Sequence, residues 1–354
     1  MGRVDAAPTR IAEHDVTPAQ AQPLAQPLSQ PPTPHIVVVG ELCVDVIVRL
    51  DGPVLFGQHE QIVPSTTVTM GSSSAITACG IARLGTSVDL VAVRGADDFG
   101  DYLDSVLHRR DVGTAGVRID ASLPTGSSVH LTRADGDRAI LTAMGSIGTV
   151  TARDARPWLD RADHLHIGSW FLQHALEHDG GALFAEARAA GVRTSLDGNF
   201  DPSERWNSSI LEVLEHCDIF FGNDDEIAGI SSAATALEGV AALLARMPAG
   251  AAIVRKTGAD GAELWRMPAG ELVGVHAAVP ALDGVLHDTV GAGDSLAAGV
   301  ISGMARGMTD REALALGVAC GSLSTRAVGG IDGQPDEGRA LATAASVAVS
   351  PARA

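Results

Sequence analysis

Short apolar runs alternate with Ala/Leu-rich stretches along most of this 354-residue chain. The runs have the length of buried strands and lie at residues 36–39, 88–93, 164–167, 192–196, 219–221 and 251–254. The stretches between them have helical spacing and include residues 75–84, 102–109, 182–190 and 235–247. A chain that repeats strand, helix and strand predicts an α/β fold with a parallel sheet covered by helices on both faces.

Two segments, residues 49–70 and 117–143, do not follow this rhythm. They contain turn residues and short alternating patches, and residues 134–137 (ADGD) are typical of a hairpin turn. We predict that the two segments form a small β-sheet lid beside the main sheet, with surface loops as the alternative. If one face of that lid is apolar, two copies of the chain are expected to pair through it as a homodimer.

The two ends of the chain differ from the rest in composition. Residues 1–34 are rich in Pro and Gln, and such a segment forms neither a helix nor a core, so we predict a disordered leader. The last nine residues, 346–354, are interpreted as a short tail. The folded domain is therefore expected to span residues 35–345.

Charge and composition limit the partners. The chain has 25 Lys+Arg against 43 Asp+Glu, a net charge of −18, which opposes binding to nucleic acid or to an anionic membrane. Phosphate would have to be held by backbone N–H groups or a metal ion. The four cysteines are far apart and predict reduced, buried thiols. With neither an apolar run of membrane-spanning length nor a signal peptide, a cytoplasmic protein is expected.

The stretch Asp288–Ser295 (DTVGAGDS) is the most informative one for chemistry. Its glycines, Gly291 and Gly293, allow close backbone approach, and a helix that begins there directs free N–H groups at an anion. Asp294 would repel a phosphate at this position unless it has a function there, and accepting a proton from an attacking hydroxyl is such a function. The alternative is that Asp294 only caps the helix.

Two further motifs follow apolar strands. Asn223 and Glu226 are three residues apart and could orient water molecules on Mg²⁺, or could form a capping pair. Lys256 is the only lysine of the chain. Because a strand-end charge that faces solvent is an equally good interpretation of Lys256, the nucleotide contact is assigned first to the backbone of the turn at residues 257–261.

These motifs, together with residues 70–85, 95–100 and 197–199, resemble the signatures of the pfkB (ribokinase-like) carbohydrate kinases, and the resemblance extends over residues 36–340. It implies a three-layer α/β/α fold with a β-sheet lid, and an ATP-dependent kinase that phosphorylates a hydroxyl of a sugar or sugar acid. A nucleoside kinase of the same superfamily and a non-catalytic sugar-binding regulator are the alternatives.

The resemblance also implies a role for each matching residue. Catalysis is assigned to Asp294 as general base and to an anion hole of Gly291, Ala292 and Gly293. Sugar binding is assigned to Asp45, Gly71, Ser72, Trp170 and Asp294. ATP binding is assigned to Asn199, Asn223, Thr257, Gly258, Gly261 and Gly293. Metal binding is assigned to Asn223 and Glu226, which hold Mg²⁺ through water, and to Asp288 and Val290, which would bind K⁺.

Two of these assignments have structural alternatives. Asp45 follows a buried strand and could accept loop N–H groups rather than sugar hydroxyls, although an uncompensated buried carboxylate is costly. Trp170, with Phe171, could stack on a sugar or pack in the core.

Three positions depart from the usual family pattern. Ser72 replaces the second glycine of a GG pair, Ile76 replaces an asparagine that reaches the sugar, and Asp201 stands where an arginine is frequent. These changes remove an amide donor and a positive charge but leave Asp294 and its glycines intact. They predict an altered substrate preference rather than a loss of catalysis.

Overall fold

The computed structural model describes residues 1–2, 33–206 and 209–353. The predicted leader lies almost entirely outside the described residues. Strands and helices are numbered separately in chain order, and the first strand begins at His35, where the composition changes.

The described residues form a ten-stranded main sheet in the order β14-β13-β12-β11-β10-β9-β8-β1-β4-β5. Its strands are β1 (His35–Val39), β4 (Ser87–Arg94), β5 (Gly113–Ile119), β8 (His164–Ile167), β9 (Arg193–Asp197), β10 (Ile219–Asn223), β11 (Ala252–Lys256), β12 (Ala262–Arg266), β13 (Val273–Ala277) and β14 (Val349–Pro351). All neighbours from β11 to β5 are parallel, and β12 to β14 continue the sheet with antiparallel pairing.

Helices cover both faces of this sheet, as the strand and helix rhythm predicts. They are α1 (Ser73–Arg83), α2 (Asp98–Arg109), α3 (Ala152–Ala155), α4 (Gly180–Ala189), α5 (Ile210–Leu214), α6 (Asp224–Ser231), α7 (Ala236–Leu244), α8 (Ala292–Ala305), α9 (Asp310–Ser324) and α10 (Glu337–Ala344). Side chains of α1, α2, α8 and α9 pack on one face, and those of α4 to α7 pack on the other. Alternate residues of β1 belong to the two separate cores, as expected for a strand buried on both sides.

Helices α8 and α9 pack closely through small residues, as expected for a chain with few aromatic side chains. A Cβ atom added at Gly299 would lie 2.7 Å from the Cα of Gly317. The two helix backbones therefore approach more closely than bulky side chains would allow. A Cβ atom added at Gly321 of α9 would lie 2.8 Å from the carbonyl oxygen of Ala292, so the close packing extends to the first turn of α8, which contains Asp294.

The lid is a four-stranded sheet in the order β3-β2-β6-β7. Its strands are β2 (Cys43–Leu50), β3 (Ser65–Met70), β6 (Gly126–Arg133) and β7 (Arg138–Ala143). The segments proposed from the sequence differ from it in two ways. The lid already begins at residue 43, and residues 117–119 lie in β5 of the main sheet because they pair with β4.

The region interpreted as a tail also contributes to the fold. Residues 349–351 form β14, which pairs antiparallel with β13 at the edge of the main sheet. Three residues are too few for a pattern of apolar side chains to predict a strand, so only the partner strand reveals it.

All four cysteines are buried and free. Within the described part of the chain, no single helix is both long and apolar enough to cross a membrane, and only the bent pair α6 and α7 meets that test jointly. The cytoplasmic location stays a prediction.

Candidate active site

The predicted anion site lies at the N-terminus of α8. Gly291 precedes the helix with a φ of +72°, and a Cβ atom at this position would lie 2.7 Å from the Cα of Gly330. Both observations require glycine here. The first N–H groups of α8 have no acceptor within the helix. The backbone N–H groups of Gly293 and Asp294 therefore carry a partial positive charge at the carboxyl ends of the parallel strands.

Asp294 lies in this first turn, where Ser73 of α1 donates a hydrogen bond to its Oδ1 at 2.5 Å. Burial raises the pKa of Asp294 to about 7, the negative charges of Asp197 and Glu41 act in the same direction, and Ser73 and Lys256 oppose the rise. A carboxylate with this pKa can accept a proton near neutral pH. The sequence motif identified Asp294, but it gave no indication of Ser73, which is brought close by the packing of α1 on α8.

Lys256, the last residue of β11, points into the protein. Its side chain is 15% exposed, and Nζ lies 3.0 and 3.1 Å from the two carboxylate oxygens of Asp197 and 3.4 Å from Oε2 of Glu226. Burial alone lowers the pKa of Lys256, but the two carboxylates outweigh it and hold the pKa above its ordinary value. The interpretation of Lys256 as a charge that faces solvent is therefore wrong.

Asn223 and Glu226 form the capping pair that was the alternative to a metal site. The backbone N–H of Glu226 donates to Asn223 Oδ1 at 2.9 Å, and the Asn223 N–H donates to Glu226 Oε2 at 2.9 Å. This reciprocal pair begins α6 at the end of β10. Burial raises the pKa of Glu226, against the opposing charge of Lys256.

At the carboxyl ends of the parallel strands, negative charges outnumber positive ones. Asp197, Glu226 and Asp294 contribute three carboxylates, and Lys256 contributes one ammonium group. A divalent cation would neutralise the excess, so the donor set fits Mg²⁺. In the described part of the chain, no cluster of three or more His, Cys, Asp or Glu side chains has the spacing to hold a metal directly, so Mg²⁺ would be held through water molecules or nucleotide phosphates.

A cleft of about 940 Å³ opens next to this cluster. Asn223, Lys256 and Thr257 line one end of it, and residues 276–279 and 350–353 line another part. The turn that follows Lys256 has positive φ angles at Gly258 and Gly261 (62° and 107°). Of the residues assigned to ATP from the sequence, Asn223 and Thr257 line this cleft, and Gly258 and Gly261 belong to the turn whose residues Ala259 and Asp260 line it. Gly293 and Asn199 are not among the lining residues, and the side-chain amide of Asn199 donates to Ser169 Oγ at 2.7 Å.

Asp45 projects from β2 of the lid and is 4% exposed. Its Oδ1 lies 3.3 Å from Nε2 of His130 on β6, and a Cβ atom added at Gly71 would lie 2.1 Å from the same oxygen. Ser72 follows with a φ of +73° and caps α1 through its hydroxyl, which accepts the N–H of Ala75 at 3.0 Å. Ser72 therefore keeps the turn that glycine usually makes and adds a helix cap.

Glu41, which the sequence reasoning missed, is the centre of the polar network on this side. Its carboxylate is 3% exposed and accepts hydrogen bonds from the hydroxyls of Ser74 and Ser169 at 2.6 and 2.9 Å, and from Gln173 Nε2 at 2.9 Å. The only signal in the sequence was an acidic residue directly after a buried strand and a glycine. That signal does not indicate which groups would surround it.

Trp170 is a core residue. Its side chain is fully buried, and a Cβ atom added at Gly180 of α4 would lie 2.5 Å from its Cη2 atom. Phe171 is 5% exposed. The assignment of Trp170 to the sugar pocket is therefore wrong, because the strand that precedes it directs the ring under α4.

Two of the departures from the family pattern also have structural roles. Ile76 is 2% exposed, and its Cδ1 lies 2.3 Å from the position of a Cβ atom added at Gly330, so it fills space behind the anion site. Asp201 accepts the backbone N–H groups of Ser203, Arg205 and Trp206 at 2.8, 3.1 and 2.7 Å. It shapes its own loop, which an arginine could not do.

The proposed K⁺ ligand Asp288 is already surrounded by donors. Its carboxylate accepts the N–H groups of Val290 and Gly329 at 3.1 and 3.2 Å. Two lid arginines approach it as well, Arg49 at 3.7 Å and Arg138 at 3.9 Å. These guanidinium groups supply positive charge where the resemblance implied K⁺, so the residues do not fit a monovalent cation here.

Comparison with known proteins identifies the family of the chain. A model of the pfkB family carbohydrate kinases matches residues 33–337. The chain belongs to the pfkB family. This pfkB kinase is 31% identical over 300 residues to the ATP-dependent ribose-1-phosphate kinase of Halopiger xanaduensis, and the match covers 82% of this chain and 91% of that protein. It is 25% identical over 322 residues to the probable chloroplastic fructokinase-6 of Arabidopsis thaliana, with coverage of 86% and 80%.

Among solved structures, the putative ribokinase II of Escherichia coli in complex with ATP and Mg²⁺ superposes with a TM-score of 0.74 at 22% identity. The match covers 88% of this chain and 98% of that one. The ribokinase-like fold is thus confirmed. The pfkB kinase is a phosphotransferase that acts on an alcohol group of a sugar or nucleoside.

Proposed function

We propose that this pfkB kinase transfers the γ-phosphoryl group of ATP to a hydroxyl of a sugar or sugar acid. The observation that carries the proposal is the position of Asp294. Its carboxylate lies in the first turn of α8 beside free N–H groups, Ser73 holds it at 2.5 Å, and its pKa of about 7 suits proton transfer near neutral pH.

The reaction then needs little covalent chemistry from the protein. The sugar hydroxyl oxygen attacks the γ-phosphorus while its proton passes to Asp294. The bond between the γ-phosphorus and the bridging oxygen breaks, and ADP leaves with that electron pair. The N–H groups at Gly291 to Gly293 stabilise the charge on the transferred oxygens. Mg²⁺, when bound with ATP, supplies charge neutralisation, and Asn223 and Glu226 would orient its water molecules.

The contacts on the lid side favour a sugar over a nucleoside. Asp45 and His130 present polar groups where the lid meets Gly71. The aromatic rings that could stack on a base, Trp170 and Phe171, are buried in the core. The named relatives, a ribose-1-phosphate kinase and a probable fructokinase, support a sugar or sugar derivative as the substrate class.

Replacement of the general base tests the proposal. With ATP and a sugar found by screening, we expect Asp294→Asn to lower kcat by about 10²- to 10⁴-fold while nucleotide binding persists. Asp218→Asn is the matched control because it also removes a carboxylate, but at the amino ends of the strands. Asp218 directly precedes β10 and pairs with Arg188. The proposal is wrong if Asp294→Asn retains activity within about tenfold of the wild type. A protein that binds sugars without releasing ADP would instead support the regulator alternative.

The outer face of the lid supports pairing between two copies of the chain. Residues directly opposite each other share a face of a sheet. The outer set is mainly aliphatic and includes Val46, Val48, Val68, Val129, Leu131, Ala139 and Leu141, while Thr66 and Ser127 are its polar members. Val68 and Leu141 are 48% and 58% exposed. Light scattering at micromolar concentration is expected to give the mass of a dimer, and a monomer would contradict this assembly.

A further inference from the structure

The pfkB kinase has one lysine, Lys256, and it is buried beside the anion site. We propose that Lys256 is a catalytic residue whose ammonium group contacts the phosphoryl group during transfer. The inference rests on the proposed function, since it needs a phosphoryl group at the N-terminus of α8. It assigns a phosphate contact to a side chain for which the sequence alone left a solvent-facing charge as an alternative.

The position of Gly293 relative to Lys256 carries the inference. A Cβ atom added at Gly293 would lie 3.5 Å from Cδ and 4.0 Å from Nζ of Lys256. The lysine side chain therefore runs alongside the turn whose N–H groups form the anion hole. An oxygen atom bound by those N–H groups would lie within reach of Nζ after a small rotation of the side chain. The same side chain also lines the 940 Å³ cleft assigned to the nucleotide.

The hydrogen bonds of Lys256 leave capacity for a ligand. An ammonium group has three donors, and in the structure they are directed at two side chains, Asp197 and Glu226. One donor can serve both oxygens of Asp197 and a second can serve Glu226. The third is then free to turn toward the cleft.

The choice of lysine at this position is consistent with a phosphate contact. All other basic residues among the 25 Lys+Arg are arginines. A guanidinium group is a planar fork, whereas an ammonium group is a compact point charge that can approach a phosphoryl oxygen beside a close-packed glycine.

In the proposed step Lys256 keeps its proton throughout. The hydroxyl proton goes to Asp294, the electron pair of the broken bond goes to ADP, and the ammonium group donates a hydrogen bond to the oxygens on which charge develops. Asp197 and Glu226 hold the lysine in place before and after transfer. Removing one such donor from an anion hole lowers kcat by about 10²- to 10³-fold.

A single lysine permits a test in the wild-type protein that needs no knowledge of the sugar. Protein labelled with ¹³C-lysine gives one side-chain signal, which can be followed by NMR during addition of Mg²⁺ with ADP or with the non-hydrolysable ATP analogue AMP-PNP. The expected result is a shift with AMP-PNP that ADP does not produce, because only AMP-PNP carries the third phosphate. An identical signal with both bound nucleotides would overturn the role of Lys256.

Variants test the kinetic consequence. We expect Lys256→Met to lower kcat by at least about 10²-fold with a change in the KM for ATP of only a few-fold, and Lys256→Arg to retain more activity than Lys256→Met. The matched control is Arg266→Met, which removes a cation paired with Asp310 at 2.6 and 2.7 Å, remote from the cleft. A loss of stability in both variants with kcat preserved in both would assign Lys256 a structural role only.

These outcomes separate the inference from the proposed function. If AMP-PNP does not bind, or Asp294→Asn stays active, the proposed function fails first. If AMP-PNP binds and Asp294→Asn is inactive while the lysine signal and kcat of Lys256→Met are unchanged, only the inference fails. If Lys256→Met does not fold, the NMR experiment on the wild type still decides.

Discussion

Two buried polar clusters lie at the carboxyl ends of the parallel strands, and they are held together in different ways. On the nucleotide side, Lys256 joins two carboxylates, Asp197 and Glu226, within 3.4 Å. On the sugar side, a single carboxylate, Glu41, accepts hydrogen bonds from the neutral side chains of Ser74, Ser169 and Gln173.

The two clusters differ in how they can respond to a ligand. On the nucleotide side the charges do not cancel, so an incoming cation or phosphate changes the balance and can draw Lys256 toward itself. On the sugar side the donors come from α1 (Ser74) and from the loop after β8 (Ser169 and Gln173), so their hydrogen bonds to Glu41 fix the end of β1, the start of α1 and that loop relative to one another. We interpret the cluster around Lys256 as charged groups that respond to a bound ligand, and the cluster around Glu41 as a structural support.

The largest expected difference between the clusters is in stability. Asp197→Asn leaves a buried ammonium group with one partner, and we expect a loss of about 3–5 kcal/mol in the free energy of unfolding. Gln173→Met removes one of several donors to Glu41 with little change in volume, and we expect a loss of about 1–3 kcal/mol. Urea denaturation measures both. If Gln173→Met lowers the free energy of unfolding as much as Asp197→Asn does, the two clusters do not differ in the way described.

A second prediction concerns the buried histidines of β8, next to both clusters. His164 and His166 share the hydroxyl of Ser195 at 2.7 and 2.8 Å, and burial lowers their pKa values to about 3 and about 4. The unfolded chain takes up protons near pH 6.5, whereas the folded chain does not. The two histidines therefore make their full contribution to the free energy of unfolding above about pH 6.5. Below that pH the contribution falls by about 1.4 kcal/mol per pH unit for each histidine.

Between pH 6 and pH 5, His166→Gln should lose about 1.4 kcal/mol less stability per pH unit than the wild type. The raised pKa of Asp294 acts in the opposite direction in both proteins, so it does not affect this difference. The measurement is urea denaturation across that pH range, with His59→Gln as a control because His59 is exposed. An unchanged slope in His166→Gln would mean that other groups cause the loss of stability in acid.

The smallest effects are expected in the pH profile of catalysis. Asp294 must be ionised to act as a base, so kcat/KM should fall below about pH 7. Ser73→Ala removes a hydrogen bond that lowers the pKa of Asp294, and the acidic limb should move up by about one pH unit. Glu41→Gln removes a negative charge that raises this pKa, and the limb should move down. Shifts in the same direction for both variants would contradict the electrostatic account.

The structural features that the sequence predicted depend on local motifs. The turn at Gly291 requires a positive φ, and α8 begins next to it, so both properties depend on residues adjacent in the chain. The alternation of strands and helices is local in the same sense, because apolar runs and helical spacing depend on neighbouring residues. The six parallel strands β1, β4, β8, β9, β10 and β11 were therefore predictable, whereas β5, the antiparallel strands β12 to β14 and the bounds of the lid were not.

The sequence by itself determined the fold class, the family and the position of Asp294 in the turn that begins α8, because each depends on residues close together in the chain. Tertiary structure decided the rest. It directed Lys256 inward beside Gly293, buried Trp170 under α4, surrounded Glu41 with neutral donors and brought Arg49 and Arg138 to Asp288. The energies of these contacts depend on burial and on distances between remote segments, which no local pattern specifies.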